Sequence, residues 1–283
     1  MKKVLLWILA FLLTAVVLVY QRVTGPTYEK RVKVDLAGET IPVEFLRTHV
    51  ITADCPVRIT VPRQDFEGYV EYKRFPTNDP WTRLDMQREE SDLVAYLPKQ
   101  PMAGKLAYQV TLSSQGQEAT LPGDEPVVMR YKGEVPGPVL ILHIFVIFGA
   151  LFFAFRAGLE ALRKDGKVRK LAIITAVFLF VGGIILGPIM QKYAFDAFWT
   201  GFPVGKDLTD TKTLFALLAW IIALIAGRGG KPARGWYLAA FVLTLIVFVI
   251  PHSVLGSELD YSAMDPVAQS LPEALPLPLS LRT

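Results

Sequence analysis

Five runs of apolar residues punctuate the chain: 4–20 (VLLWILAFLLTAVVLVY), 138–155 (PVLILHIFVIFGALFFAF), 171–190 (LAIITAVFLFVGGIILGPIM), 214–226 (LFALLAWIIALIA) and 236–250 (WYLAAFVLTLIVFVI). A hydrocarbon core ~30 Å thick takes ~20 helical residues to cross. The first three runs meet that length; the last two reach it only with flanking residues such as 211–213. None carries the polar face of a surface helix on a soluble domain. The pattern predicts five transmembrane α-helices.

Residues 21–137 follow another rule. They are polar and punctuated by Pro and Gly, with short alternating stretches at 30–36 (KRVKVDL), 57–61 (VRITV), 68–72 (GYVEY), 93–97 (LVAYL), 105–112 (KLAYQVTL) and 127–131 (VVMRY). Turn-forming stretches at 98–104 (PKQPMAG) and 113–117 (SSQGQ) separate some of them. Period-two alternation with closely spaced turns predicts an inserted all-β domain, a small antiparallel sandwich of immunoglobulin-like architecture, near the usual ~100 residues. The expected division is an N-terminal anchor (1–20), the β-domain (21–137), a four-helix membrane module (138–261) with an outer loop at 187–213, and a Pro-rich disordered tail (262–283).

Charge sets the expected orientation. Lys2 and Lys3 precede the first run, and Arg163, Lys164, Lys167, Arg169 and Lys170 lie between the second and third. Arg228, Lys231 and Arg234 lie between the fourth and fifth. If each run crosses once, all three clusters share one side, which the positive-inside rule makes cytoplasmic. The β-domain, the outer loop and the tail then face outward from a bacterial-type inner membrane. The first run ends in VLVYQRVTGPT, without the small residues of a cleavage site, so it reads as an uncleaved anchor.

Composition narrows the chemistry. Of the 283 residues 52% are hydrophobic and 20% charged, and the net charge of +4 is too mild to imply nucleic acid. The single cysteine, Cys55, excludes an internal disulfide, a thiolate zinc cluster and a covalent CxxCH haem site. No phosphate loop, HExxH or nucleophile elbow is present, which weighs against a conventional enzyme. His49 and Cys55 lie six apart, but a free cysteine usually behaves as a small buried hydrophobe. His143 falls several residues inside the second run, where an ionisable group is costly and suggests function. His252 follows the fifth run on the same expected face. Between them in sequence lies an outer loop rich in aromatics and charge, including Tyr193, Phe198, Trp199, Asp207, Asp210 and Lys212. Two histidines at one level can supply both axial nitrogens of a haem iron, with Tyr193, Phe198 and Trp199 stacking on the ring. Asp207 and Asp210 would organise the loop's turn, and Lys212 would pair with a propionate or an aspartate. Interfacial anchoring by Trp and Tyr is the plainer alternative for the aromatics.

The stretch FWTGFPVGKDLTDTKTLFALLAW, with Trp199, Asp207, Lys212, Thr213 and Trp220 in order, resembles the tryptophan-rich outer loop of the haem-handling cytochrome c assembly membrane proteins. Histidines flank the loop in that family, and His143 and His252 stand in comparable places. The resemblance spans residues 138–261. It departs in having one loop tryptophan rather than several, a longer Trp-to-Asp spacing and an inserted β-domain. It implies a membrane protein that binds or presents haem, with His143 and His252 as metal ligands and the β-domain engaging an exported or membrane-bound protein. The alternatives are a cofactor-free scaffold recruiting such a partner, and a b-type cytochrome exchanging electrons with quinone.

Overall fold

A computed structural model of the chain describes residues 2–123, 125–251, 256 and 258–264. Most of the expected tail lies outside them, and so does His252. Helix α1 (Lys2–Thr24) leads into eleven strands, among the described residues, and a helical region follows. Its elements are α2 (Gly137–Ala161), α3 (Arg169–Leu179), a π-helical segment (Phe180–Leu186), α4 (Gly187–Phe195), α5 (Leu208–Ala226) and α6 (Arg234–Val249). Segments Lys3–Thr24, Gly137–Ala161, Arg169–Phe195 and Leu208–Ala226 are each long and apolar enough to cross a membrane. Helix α6 is equally apolar but has 16 residues, about 24 Å at 1.5 Å per residue. It stops early because Ile250 precedes Pro251 and takes extended backbone (ψ 118°), as residues before proline do.

The outer loop is shorter than the sequence reading of 187–213. Helix continues through Gly187 to Phe195 and restarts at Leu208, leaving a loop of 196–207. Pro188 does not break the chain here. It lies in the first turn after the π segment, where a missing N–H costs no bond. Asp196 closes α4 in the left-handed conformation (φ 60°).

The β-domain comprises β1 (Lys30–Leu36), β2 (Glu39–Phe45), β3 (Thr48–Val50), β4 (Cys55–Thr60), β5 (Glu67–Arg74), β6 (Thr82–Asp85), β7 (Gln87–Glu89), β8 (Asp92–Leu97), β9 (Lys105–Ser114), β10 (Gln117–Leu121) and β11 (Val127–Lys132). Strands β1 and β2 pair alone, β4–β8–β7 form a second sheet, and β3–β11–β9–β5–β6 a third, with β10 also on β9. Pairing is antiparallel except between β11 and β3, which run parallel; the expected all-antiparallel arrangement is corrected at that edge. Two tight hairpins, at Ala37–Gly38 (φ 50° and 80°) and Gln115–Gly116 (φ 52° and 75°), have both central residues at positive φ. That geometry matches strand twist. Alternate residues of the three sheets, among them Ile41, Phe45, Ile59, Leu97, Tyr108 and Met129, meet in one core.

The helices form a second core. Trp7 of α1 packs on Phe152 and Phe153 of α2, with ring centroids 5.5 and 6.1 Å apart, and Gln21 donates to the Phe248 carbonyl of α6 at 2.9 Å. Trp220 is fully buried and donates to Thr244 Oγ1 at 2.8 Å, joining α5 to α6. Arg156 and Glu160, one helical turn apart, form a buried ion pair at 2.7 Å. The π segment brings α3 close to its neighbours: a Cβ on Gly182 would sit 3.1 Å from the Ile147 nitrogen, and one on Gly183 would sit 2.3 Å from Thr213 Cγ2.

Strand β11 carries the β-domain onto the helices. The Gly133 N–H donates to the Ala194 carbonyl at 2.9 Å, and the Arg130 guanidinium lies 4.4 Å over the Phe195 ring. A strap beyond α6 returns to the same domain, where Leu259 N–H bonds the Ala103 carbonyl and the Tyr261 hydroxyl accepts from the Lys105 N–H at 3.0 Å. A Cβ on Gly133 would come within 2.2 Å of the Tyr193 carbonyl oxygen, a backbone atom with little freedom to move. Gly133→Val is therefore expected to open this junction at a cost of about 1–3 kcal/mol, read as a lower melting temperature and new proteolytic cleavage near residues 132–136. An unchanged melt and digest would show that the junction contributes nothing.

Candidate functional site

At the end of the bundle facing the β-domain, the sequence 207–213 (DLTDTKT) ties three elements together. Asp207 is the N-cap of α5: its Oδ1 accepts from the N–H groups of Thr209 (2.7 Å) and Asp210 (3.4 Å). This is the usual way a carboxylate starts a helix whose first amides lack partners. Asp210, one turn into the helix, points back at the loop, and its Oδ2 accepts from the N–H groups of Thr200 (2.9 Å) and Gly201 (3.2 Å). Gln191 of α4 donates to Thr200 Oγ1 at 2.5 Å and also reaches Asp210. Thr211 Oγ1 accepts from the Phe202 N–H at 2.9 Å. Lys212, only 5% exposed, donates to the carbonyls of Ile250 (2.6 Å) and Pro251 (3.4 Å), closing the C-terminal end of α6.

His143 sits two turns into α2, facing the π segment. The Gly182 carbonyl faces its imidazole, a Cβ on Gly187 would lie 4.0 Å from its Cε1, and its buried Nδ1 has no hydrogen-bond partner. Two cavities meet at this residue. A chamber of about 200 Å³ lies among α2, α4 and α5, with His143, Gln191, Asp207 and Asp210 in its lining. A groove of about 790 Å³ runs between the β-domain and helices α1, α2 and α4. Arg130, His143, Ile147, Met190, Ala194 and Phe195 line both and form the wall between them. Arg130 is 7% exposed. Burial pulls its guanidinium below the usual arginine range, against the opposing fields of Asp207 and Glu258.

The sequence-predicted residues divide accordingly. His143, Asp207 and Asp210 come together at the chamber, but Asp207 Oδ1 and Asp210 Oδ2 each accept from two backbone amides. Lys212 is turned onto the end of α6. Tyr193 and Phe198 are 44% and 59% exposed, and Trp199 donates its indole N–H to the Phe202 carbonyl at 3.1 Å. None of these three aromatics lines the chamber or the groove. His252 lies outside the described residues. No group of three or more His, Cys, Asp or Glu side chains positioned to hold a metal ion occurs among the described residues.

Sequence reading missed Arg130, Met190 and Lys132. The sign for Arg130 is its place in VVMRY, between Met129 and Tyr131, both buried in the β-domain core. Met190 looked like one more apolar letter at the end of a span, and only the fold shows that it lines both cavities. His49 packs edge-on to Tyr131 with centroids 6.0 Å apart. Cys55 is fully buried, and burial pushes its thiol up to about 12.

Comparison with known proteins returns no match: no protein-family model, curated protein or solved structure matches the chain.

Asp210→Ala removes the acceptor of two loop amides and is expected to cost about 1–3 kcal/mol, with faster hydrogen exchange at Thr200 and Gly201; equal exchange in both proteins would refute the clamp. The Cys55 thiol, protonated at neutral pH, is expected to resist iodoacetamide at pH 8 in the folded protein and to react once the β-domain unfolds. Rapid labelling of the folded chain would contradict its burial.

Proposed function

We propose that the chain is a plasma-membrane protein that binds haem between its exported β-domain and its helices, and that His143 would be a ligand of its iron. The observation supporting this is the donor set of the groove. His143 and Met190 offer the nitrogen and thioether sulfur that haem iron takes. Arg130 and Lys132 are cations of the kind that pair with propionate carboxylates, whereas Arg22 is paired with Glu29 at 3.5 Å and Glu134 also lines the groove. Leu140, Ile144, Phe148 and Phe195 give apolar surface for the ring faces. Volume favours the groove over the chamber: about 790 Å³ falls within the ~300–1,000 Å³ typical of ligand sites, and about 200 Å³ falls below it. Haem held there would supply reversible one-electron exchange. The chain's own part is to hold the ring's edge with cations, exclude water with the β-domain and fix the imidazole against the π segment. Asp207, Asp210 and Lys212 act through the scaffold. His252 lies outside the described residues but follows Pro251 in sequence, whose carbonyl Lys212 engages, and would be the other candidate beside Met190 for a second ligand.

In this reading α6 is the fifth crossing, its short length met by local thinning of the bilayer. The basic connections lie in the cytoplasm and the β-domain outside. The β-domain, an immunoglobulin-like sandwich, recruits an exported or membrane-bound protein that receives or delivers haem or electrons. A second occupant, an isoprenoid quinone, is favoured by the 37% and 38% exposure of Leu140 and Ile144, which line the groove on the lipid side.

The test is a visible and pyridine-haemochrome spectrum of protein produced with haem precursor, beside His143→Ala, Met190→Leu and His252→Ala. A Soret band is expected in the wild type, lost in His143→Ala and shifted in one of the other two. A band indifferent to His143→Ala overturns the assignment. So does a colourless wild type under conditions that load a control haem protein, and extractable quinone in that sample would hand the groove to the second occupant.

A further inference from the structure

The opposite end of the bundle carries a site independent of the haem reading. The connections α2–α3 and α5–α6 lie side by side there and enclose a cavity of about 960 Å³. Lys164 and Lys167 line it from the first connection, Arg169 and Lys170 from the first turn of α3, and Lys231 and Arg234 from the second connection and the start of α6. All six are exposed. No carboxylate lines the cavity; Asp165 of the first connection does not, and Glu160 is taken up by Arg156 and Arg163 at 2.7 and 3.2 Å. The walls are fixed from within. Arg169 donates to the carbonyls of Leu224 (3.1 Å) and Gly227 (3.2 Å), and Arg234 donates to the Leu162 carbonyl, so each connection is tied to the other's helix.

The charge arrangement opposes ordinary helix electrostatics. Helix N-termini carry partial positive charge and favour acidic neighbours. Here α3 and α6 both begin without a side-chain cap and without an acid in the first turn, and with arginine as first residue. Six exposed cations and two uncapped N-termini surround one cavity, with Arg163 of the same lining held by Glu160, and this concentration of positive charge is what an anion would offset. Trp236, 54% exposed in the first turn of α6, is an amphipathic ring of the kind that anchors at headgroup depth, the level of lipid phosphates.

We propose that this cavity binds the phosphate headgroup of an anionic phospholipid. The full-length protein in neutral detergent is titrated with phosphatidylglycerol or phosphatidylcholine, with thermal melting and native mass spectrometry as readouts. Phosphatidylglycerol is expected to raise the melting temperature and remain bound, and phosphatidylcholine to do neither. In Lys164→Gln/Lys167→Gln/Lys231→Gln its affinity falls by about fivefold for each lysine removed. The equally neutralised β-domain variant Lys30→Gln/Lys33→Gln/Lys99→Gln keeps wild-type affinity. Equal responses to the two lipids, or an unaltered triple cavity variant, overturn the proposal. Stabilisation by inorganic pyrophosphate as strong as that by phosphatidylglycerol would assign the cavity to a soluble phosphate instead, and overturn the lipid.

Discussion

Two carboxylates, on Asp207 and Asp210, set the geometry of the bundle at its β-domain end. A loop entering a helix must satisfy both its own amides and the first amides of the helix, which lack intrahelical partners. Asp207 satisfies the helix and Asp210 satisfies the loop, so Thr200 and Gly201 are drawn against α5 while residues 202–206 stay exposed. Gln191 extends the clamp to α4 and Lys212 to the end of α6. With those helices fixed, the wall of His143, Met190 and Phe195 has one position, and Arg130 meets it from the β-domain. The side chains that resemble catalytic or ligand groups in the sequence are thus the frame, and the groove lies beside them.

The position of His143 depends on a second constraint, close helix approach. Gly183 lets the Thr213 side chain come nearer than any Cβ would allow, and Gly182 leaves the α2 backbone closer than most Cβ contacts. The π turn that contains them releases the regular helical register beside the imidazole, an irregularity often found at functional sites. Pro188 follows without penalty because the helix is in effect starting again. One local change of register thus explains three sequence features that otherwise look unrelated: the glycine pair, the proline inside a span and the histidine opposite.

Long elements were legible in the sequence and short ones were not. The four longest helices and strands β1, β5, β8, β9 and β11 follow from runs of apolar residues or period-two alternation, the same burial physics that forms them. Strand β2 carries Pro42, which argues against a strand even though Ile41, Val43 and Phe45 all face the core. Strands β3, β6 and β7 have three or four residues each, and the last two are largely exposed edges with little hydrophobic pattern. The loop was read too long because Pro188 and Gly187 are usual helix breakers, and nothing local reveals a π turn. At the site, His143 stood out because charge inside a span is costly. Tyr193, Phe198 and Trp199 stood out for their ring type alone, and ring type does not say which way a side chain points.

The two ends of the bundle solve the same electrostatic problem in opposite ways. At the β-domain end, the N-terminus of α5 receives its compensating negative charge from the chain itself, in Asp207 and Asp210, and the result is a fixed structure with its polar groups engaged. At the other end, α3 and α6 begin on arginines without a side-chain cap or an acid in the first turn. Cationic starts keep that end unneutralised and therefore responsive to anions in its surroundings.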